Sequence, residues 1–185
     1  MKHLLPILFL VLISCKSEPK TEVSSENKTD TTVVDMWNAY VQLHPEFKND
    51  SLPDAWFFHN NKTDANRLGK LTLEGKKQAS SGLYAWYKEA NAALPKVGTK
   101  HIITDFDGKA QAIIQITKVD TIPFHKISQA YAEKDMGTTN EALKKWRKAH
   151  WDFFESALKE SGKKPTENML VVCEQFETVW PKSSK

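Results

Sequence analysis

Cysteine is nearly absent. Of 185 residues only two, Cys15 and Cys173, carry a thiol. So few cannot build a framework of bridges, so the fold has to hold by its core. No Cys/His run has metal-ligand spacing, so neither a metal site nor a cofactor is expected, and no internal repeat points to a solenoid or propeller. The apolar run from Leu4 to Ile13 is shorter than a membrane-spanning helix requires. The formal net charge of +3 is mild, and no concentrated basic face argues for nucleic acid by charge alone. In the stretch LEGKKQASSGLYAW, residues 73–86, no second glycine stands at the distance a P-loop needs, and the glycine follows a helical pattern rather than a strand. A phosphate-gripping P-loop is therefore excluded.

What is present begins with a leader. MKHLLPILFLVLISC has a basic start, a short apolar run and the ending Leu12-Ile13-Ser14-Cys15. It reads as a signal peptide over residues 1–15. The ending resembles the lipobox of bacterial lipoproteins, which implies a lipidated Cys15 and a protein anchored to a membrane of the bacterial cell envelope, outside the cytoplasm. With lipid on Cys15, no disulfide to Cys173 can form. Residues 16–31 are Ser, Thr, Glu and Lys with one Pro and bury too little to order themselves, so they read as a tether. Residues 32–185 are then one domain with a respectable core.

The domain alternates helical and extended patterns. Val33, Val34, Trp37, Tyr40 and Val41 have helical spacing, with Thr32 and Asp35 as a capping box. Asp64 is expected to cap a short helix that stops at Gly75, and a further helix is expected over 78–89. Asp107-Gly108 between HIITDF and AQAIIQITKVD signals a hairpin whose second strand ends at Pro123. A short helix is expected over 127–134. A long one follows, with Thr138 and Glu141 as its box, a stripe of Leu143, Trp146, His150, Phe153 and Ala157, and a stop at Gly162 and Pro165. MLVVCEQFETVW is apolar on both faces, hence a central strand. The order predicts an α+β fold, helices around a small mixed sheet or barrel.

Two chemical candidates come from the residues themselves. Lys77 and Ser80 are three apart, so one helical turn would place them together, and a lysine stripped of water can take a hydroxyl proton. Glu174 alternates with Val172 and Phe176 on one strand face, where a carboxylate needs a partner, Lys77 or Arg147 among those available, or rises in pKa. His150, on the apolar stripe, reads as a hydrogen-bonded core residue.

Seven stretches taken in order resemble the ASCH domain family, relatives of the PUA RNA-binding fold: DMWNAYVQLHPE, DAWFF, LEGKKQASSGLYAWY, LPKVG, KVDTIPFHKI, WRKAHWDFF and MLVVCEQFETVWP. The resemblance implies a PUA-like small mixed β-barrel or sheet with flanking helices and a cleft. Small members of the family hydrolyse N4-acetylcytidine with a lysine, a threonine and a glutamate; others are ribonucleases. On that pattern Lys77 is the lysine, Ser80 stands for the threonine, and Glu133 is the best match for the acid, with Asp135 the alternative. Trp56 and Phe58 match an aromatic pair suited to stacking on a base, with Lys76 and Glu174 as further ligand-binding residues. His59 stands where the family often has glycine. The implied function is an envelope-anchored domain that binds a nucleoside or single-stranded RNA and hydrolyses an acylated nucleoside. A non-catalytic binding module or a ribonuclease is the alternative, and no protein partner is evident.

Overall fold

The computed structural model describes residues 30–159 and 161–181. The leader, Cys15 and the tether as far as residue 29 lie outside the described residues. Helix α1 (Thr31–Leu43) is followed by a short 3₁₀ turn and the two-residue strand β1 (Ala55–Trp56). Then come α2 (Lys62–Leu73), β2 (Ala79–Leu83), α3 (Tyr84–Glu89), β3 (Lys100–Thr104) and β4 (Ala110–Pro123). The chain finishes with α4 (Gln129–Met136), α5 (Ala142–Lys159) and β5 (Leu170–Trp180). Among the described residues no helix is long and apolar enough to cross a membrane.

The five strands form one mixed sheet in the order β1-β3-β4-β5-β2. Only β1 pairs in parallel, with β3; the other pairings are antiparallel. The sheet is open, not a closed barrel: β1 and β2 are its two edges. The fold is α+β, as the segment order predicts, and the Asp107-Gly108 hairpin and the central place of β5 are where the sequence puts them.

Three apolar clusters cover the sheet. Val33, Trp37 and Tyr40 of α1 pack on Ile102 and Ile113. Phe58 and Leu68 pack on Ile103, Ile114, Ile116 and Phe176. Tyr131, Trp146, Phe154 and Leu158 of α4 and α5 pack on Ala79, Val171 and Cys173. Burial pushes the Cys173 thiol up to about 12, so it behaves as a small core residue.

Several local expectations are corrected. The largest concerns residues 78–89, expected as one helix. Ala79 and Leu83 are buried and pair with β5, so 79–83 is a strand, and only 84–89 is helical. Lys77 and Ser80 are therefore not brought together by a helical turn. The cap of α1 is Asp30, which accepts from Thr32 N–H at 2.9 Å, and that of α2 is Asn61, which accepts from Asp64 N–H. Glu141 sits at a φ of 48° rather than in a capping box. The buried stripe of α5 is Ala142, Trp146, Phe154 and Leu158, while Leu143 and Phe153 lie at its border and Ala157 faces outward.

Candidate functional site

The site starts at the end of α2. Gly75, at a φ of 67°, turns the chain, and Lys76 and Lys77 both donate their backbone N–H to Leu71 O, at 2.8 and 3.0 Å. The Lys76 side chain turns outward to Glu74, 2.7 Å away. Lys77 turns inward and is only 4 % exposed. Its Nζ donates to the backbone oxygen of Asp135 at 2.9 Å and to Asp135 Oδ1, and lies 4.8 Å from the centre of the Phe58 ring. The Gln78 N–H donates to Lys134 O at 2.8 Å. Two carbonyls left open at the C-terminus of α4 are thus filled from the start of β2, one of them by a cation, the charge that end favours.

Asp135 is the hub. It is 2 % exposed, yet donors surround its carboxylate. Oδ2 accepts from Ser81 Oγ at 2.6 Å and from Trp146 Nε1 at 2.8 Å. His150 Nε2 stands 3.4 Å from the same oxygen, with its ring stacked on Trp146 and its Nδ1 3.0 Å from Trp146 O. Burial alone would raise the Asp135 pKa; Lys77 and His150 outweigh it and hold the carboxyl well below its ordinary range. Tyr131 ties the cluster to β2, its hydroxyl donating to Ser80 O at 2.6 Å and meeting Ser81 Oγ at 2.9 Å.

This cluster borders a cleft of about 400 Å³ beside edge strand β2. Phe58, Lys77, Ser80, Ser81, Asp135 and His150 line it, and α2 and α5 supply Arg67, Asp152 and Phe153. His59 also borders it, at a φ of 67° that a bulky residue rarely adopts, with its ring 5.1 Å from Phe153. Among the described residues no group of three His, Cys, Asp or Glu side chains could hold a metal ion.

The structure thus brings together Lys77, Ser80, Asp135 and Phe58. It leaves Glu133 outside: that carboxylate accepts from Gln129 at 2.8 Å on the outer side of α4. Lys76 is also outside. Trp56 stands edge-on to Phe58 and lines a neighbouring groove with Glu174. Glu174 touches Tyr87 rather than Lys77 or Arg147, whose guanidinium donates to His125 O. The sequence does not mark Ser81 or Trp146 as site residues. A strand reading of 79–83 would have placed Ser81 two residues from Ala79 on the face toward α4, and the Tyr131–Asp135 spacing would have aimed Asp135 at the same place.

A sequence-family model described as the ASCH domain matches residues 54–180. Two solved structures align over most of the chain. A protein from Enterococcus faecalis V583 is 33% identical, with a TM-score of 0.72, over 80% of this chain and 88% of its own. An ASCH domain from Lactobacillus crispatus JV V101 is 28% identical, with a TM-score of 0.75, over 83% of this chain and 98% of its own. No match is found among curated proteins.

Proposed function

Because this chain belongs to the ASCH domain family, whose fold supports an RNA-binding or hydrolase-like module, we propose that its cleft binds a nucleoside-like ligand and hydrolyses an N-acyl amide on it at Ser80. One observation carries this reading. The Ser80 hydroxyl has no hydrogen-bond partner among the described residues, and it lines the same cleft as the buried Lys77–Asp135 pair. An unpaired hydroxyl that lines one cleft with a fixed cation suits attack on a carbonyl whose oxygen gains negative charge.

The chemistry balances as acyl transfer. Ser80 Oγ bonds to the acyl carbon, its proton passes to Lys77, the C–N bond breaks and the amine leaves with that proton. Water then frees the acyl group from Ser80. Lys77 accepts a proton only after giving its own to Asp135, with which Nζ is in contact. Since Asp135 strongly prefers to be charged, that shift runs uphill in the empty cleft. Ligand entry has to loosen the hold of Ser81 or His150 on Oδ2 before turnover is fast. Until then Lys77 serves as a fixed donor to the ligand's oxygen.

The test is release of cytidine from N4-acetylcytidine by the purified chain, followed by chromatography. Ser80→Ala removes a side chain with no protein hydrogen bond, so it leaves the fold intact and abolishes release. Ser80→Thr retains it. Release that survives Ser80→Ala overturns the nucleophile assignment. A folded wild-type chain that binds the compound without releasing cytidine leaves a binding module.

The anchor belongs to the same proposal. Leu12-Ile13-Ser14-Cys15 supports lipidation of Cys15, which would put the cleft in the bacterial cell envelope, where its ligand would be a released nucleoside or RNA fragment.

A further inference from the structure

A second groove, of about 650 Å³, borders the cleft at Ser80 and Ser81. Four rings stand along it: Trp56 from β1, Trp86 and Tyr87 from α3, and His101 from β3, the last edge-on to Trp56 at 5.9 Å. One carboxylate, that of Glu174 on β5, lies among them. Lys96, the one lysine or arginine on the walls, is exposed and forms no ion pair with it among the described residues.

Glu174 is a buried acid that the protein leaves uncompensated. It is 9 % exposed, and its one hydrogen bond among the described residues is a long one, from the Tyr87 hydroxyl to Oε1 at 3.3 Å. Oε2 has no protein donor there. Burial pushes the carboxyl above the usual glutamate range; the Tyr87 hydrogen bond pulls the other way, and the charge of a second acid, Asp135, adds to the rise. Ser80, directly across from Glu174 in the β2–β5 register, leaves the sheet on the same face, and its hydroxyl is unpaired as well. Neither oxygen is sealed in, because the one fully buried side-chain nitrogen or oxygen without a partner among the described residues is His101 Nδ1. Two acceptors thus stand side by side without donors, and one carries a charge that no protein cation offsets. Burial holds His101 below the ordinary histidine range, so its ring meets an occupant uncharged.

We infer that this groove binds a primary alkylammonium ion, with Glu174 as its counter-ion and Ser80 as a second acceptor. An ammonium group brings what the two oxygens lack: a positive charge and three N–H donors, with no acceptor of its own. One N–H goes to Oε2 and another to Ser80 Oγ, while the charge and the alkyl chain lie against the aromatic rings. The opposite charge draws off the Glu174 proton as it binds, so an unpaired acid becomes one half of an ion pair. A neutral alcohol offers a hydrogen bond without the charge. A quaternary ammonium offers the charge without the N–H. The inference stands apart from the nucleoside reading, because it concerns the charge of an occupant beside the cleft; the two sites share the Ser80 hydroxyl.

The test titrates butylammonium chloride, 1-butanol and tetramethylammonium chloride into the full chain at constant ionic strength. The pH is about 8, above the range in which glutamate and histidine ordinarily titrate. Binding is followed by tryptophan fluorescence. Butylammonium binds saturably and about tenfold or more tighter than either of the others, the difference that one hydrogen bond to a charged group supplies. Glu174→Gln keeps the shape, loses the charge and weakens butylammonium by a similar factor, while circular dichroism shows the fold retained. Tyr87→Phe keeps the ring, frees Oε1 and retains binding. Binding of none of the three, 1-butanol or tetramethylammonium bound as tightly as butylammonium, or an affinity for butylammonium that survives Glu174→Gln overturns the inference. The comparison of the three probes on the wild-type chain decides the matter even where Glu174→Gln fails to fold.

Discussion

Lys77 and Asp135 hold each other in the wall of the cleft. Each is nearly inaccessible, and each is the other's compensation. Removing one leaves a buried charge without its partner, which costs about 3–5 kcal/mol, whereas removing both into groups of similar volume costs far less. Asp135→Asn and Lys77→Met should therefore each lower the unfolding free energy by about that amount, and the double variant should fall well short of their sum in denaturant titrations. The same pair gives a pH signature. Folded Asp135 stays unprotonated where the unfolded carboxyl, at about 3.9, takes up protons. Its contribution is complete above about pH 5 and falls away as the pH drops below 4 toward the folded value. The stability gap between wild type and Asp135→Asn should shrink on acidification; a gap that widens would refute this account of the pair. It follows that loss of turnover in a Lys77 variant cannot be read without a stability measurement beside it, which is why Ser80 is the cleaner probe of chemistry.

Among elements, the junction of α4 with the start of β2 sets the site. Gly137 ends α4 at a φ of 64°, and a Cβ there would meet the Lys76 carbonyl carbon at 3.3 Å and the Lys77 nitrogen at 3.4 Å. Gly75, at a φ of 67°, would meet nothing within 4 Å. Both substitutions by alanine pay the left-handed penalty of about 1–2 kcal/mol. Only Gly137→Ala must also push away the backbone that leads through Lys77 into β2, so it should lower the thermal midpoint more than Gly75→Ala and cut ligand affinity as well. Equal losses would mean that the close approach does not matter. This junction also marks how far the sequence could be read. The hairpin at Asp107-Gly108, the short helix before α5 and β5 with apolar residues on both faces rest on local signals, and they are where those signals put them. The strand 79–83 does not: Ala79, Ser81 and Leu83 alternate weakly, the Trp86–Tyr87 pair extends a helical pattern backward, and the pairing that decides the matter is with β5, nearly a hundred positions away. For the same reason the sequence favours Glu133 over Asp135, two apart on a helix, and the inner face reverses that order: Tyr131, Ala132 and Asp135 turn inward together.

For the whole molecule, the described packing begins at the N-terminus of α1. Asp30 caps α1, and the three apolar clusters draw only on residues from Val33 to Trp180. On the proposed lipidation, Cys15 places the domain while these clusters shape it. Two observations should then separate cleanly in a bacterium that processes lipoproteins. The wild-type chain should sediment with membranes and come off only with detergent, because acyl chains contribute about 0.8 kcal/mol per buried methylene. Cys15→Ser should move the protein to the soluble fraction with an unchanged thermal midpoint and unchanged nucleoside binding. A wild-type chain that is soluble, or a Cys15→Ser chain that still sediments, would remove the anchor from the proposal. The geometry of the cleft would be the same in either case, because Lys77, Ser80 and Asp135 are held within the domain by the end of α2, β2, β5, α4 and α5. What would change is the ligand pool: outside the cytoplasm only released nucleosides and RNA fragments reach the site, and a cleft of about 400 Å³ fits the smaller of these.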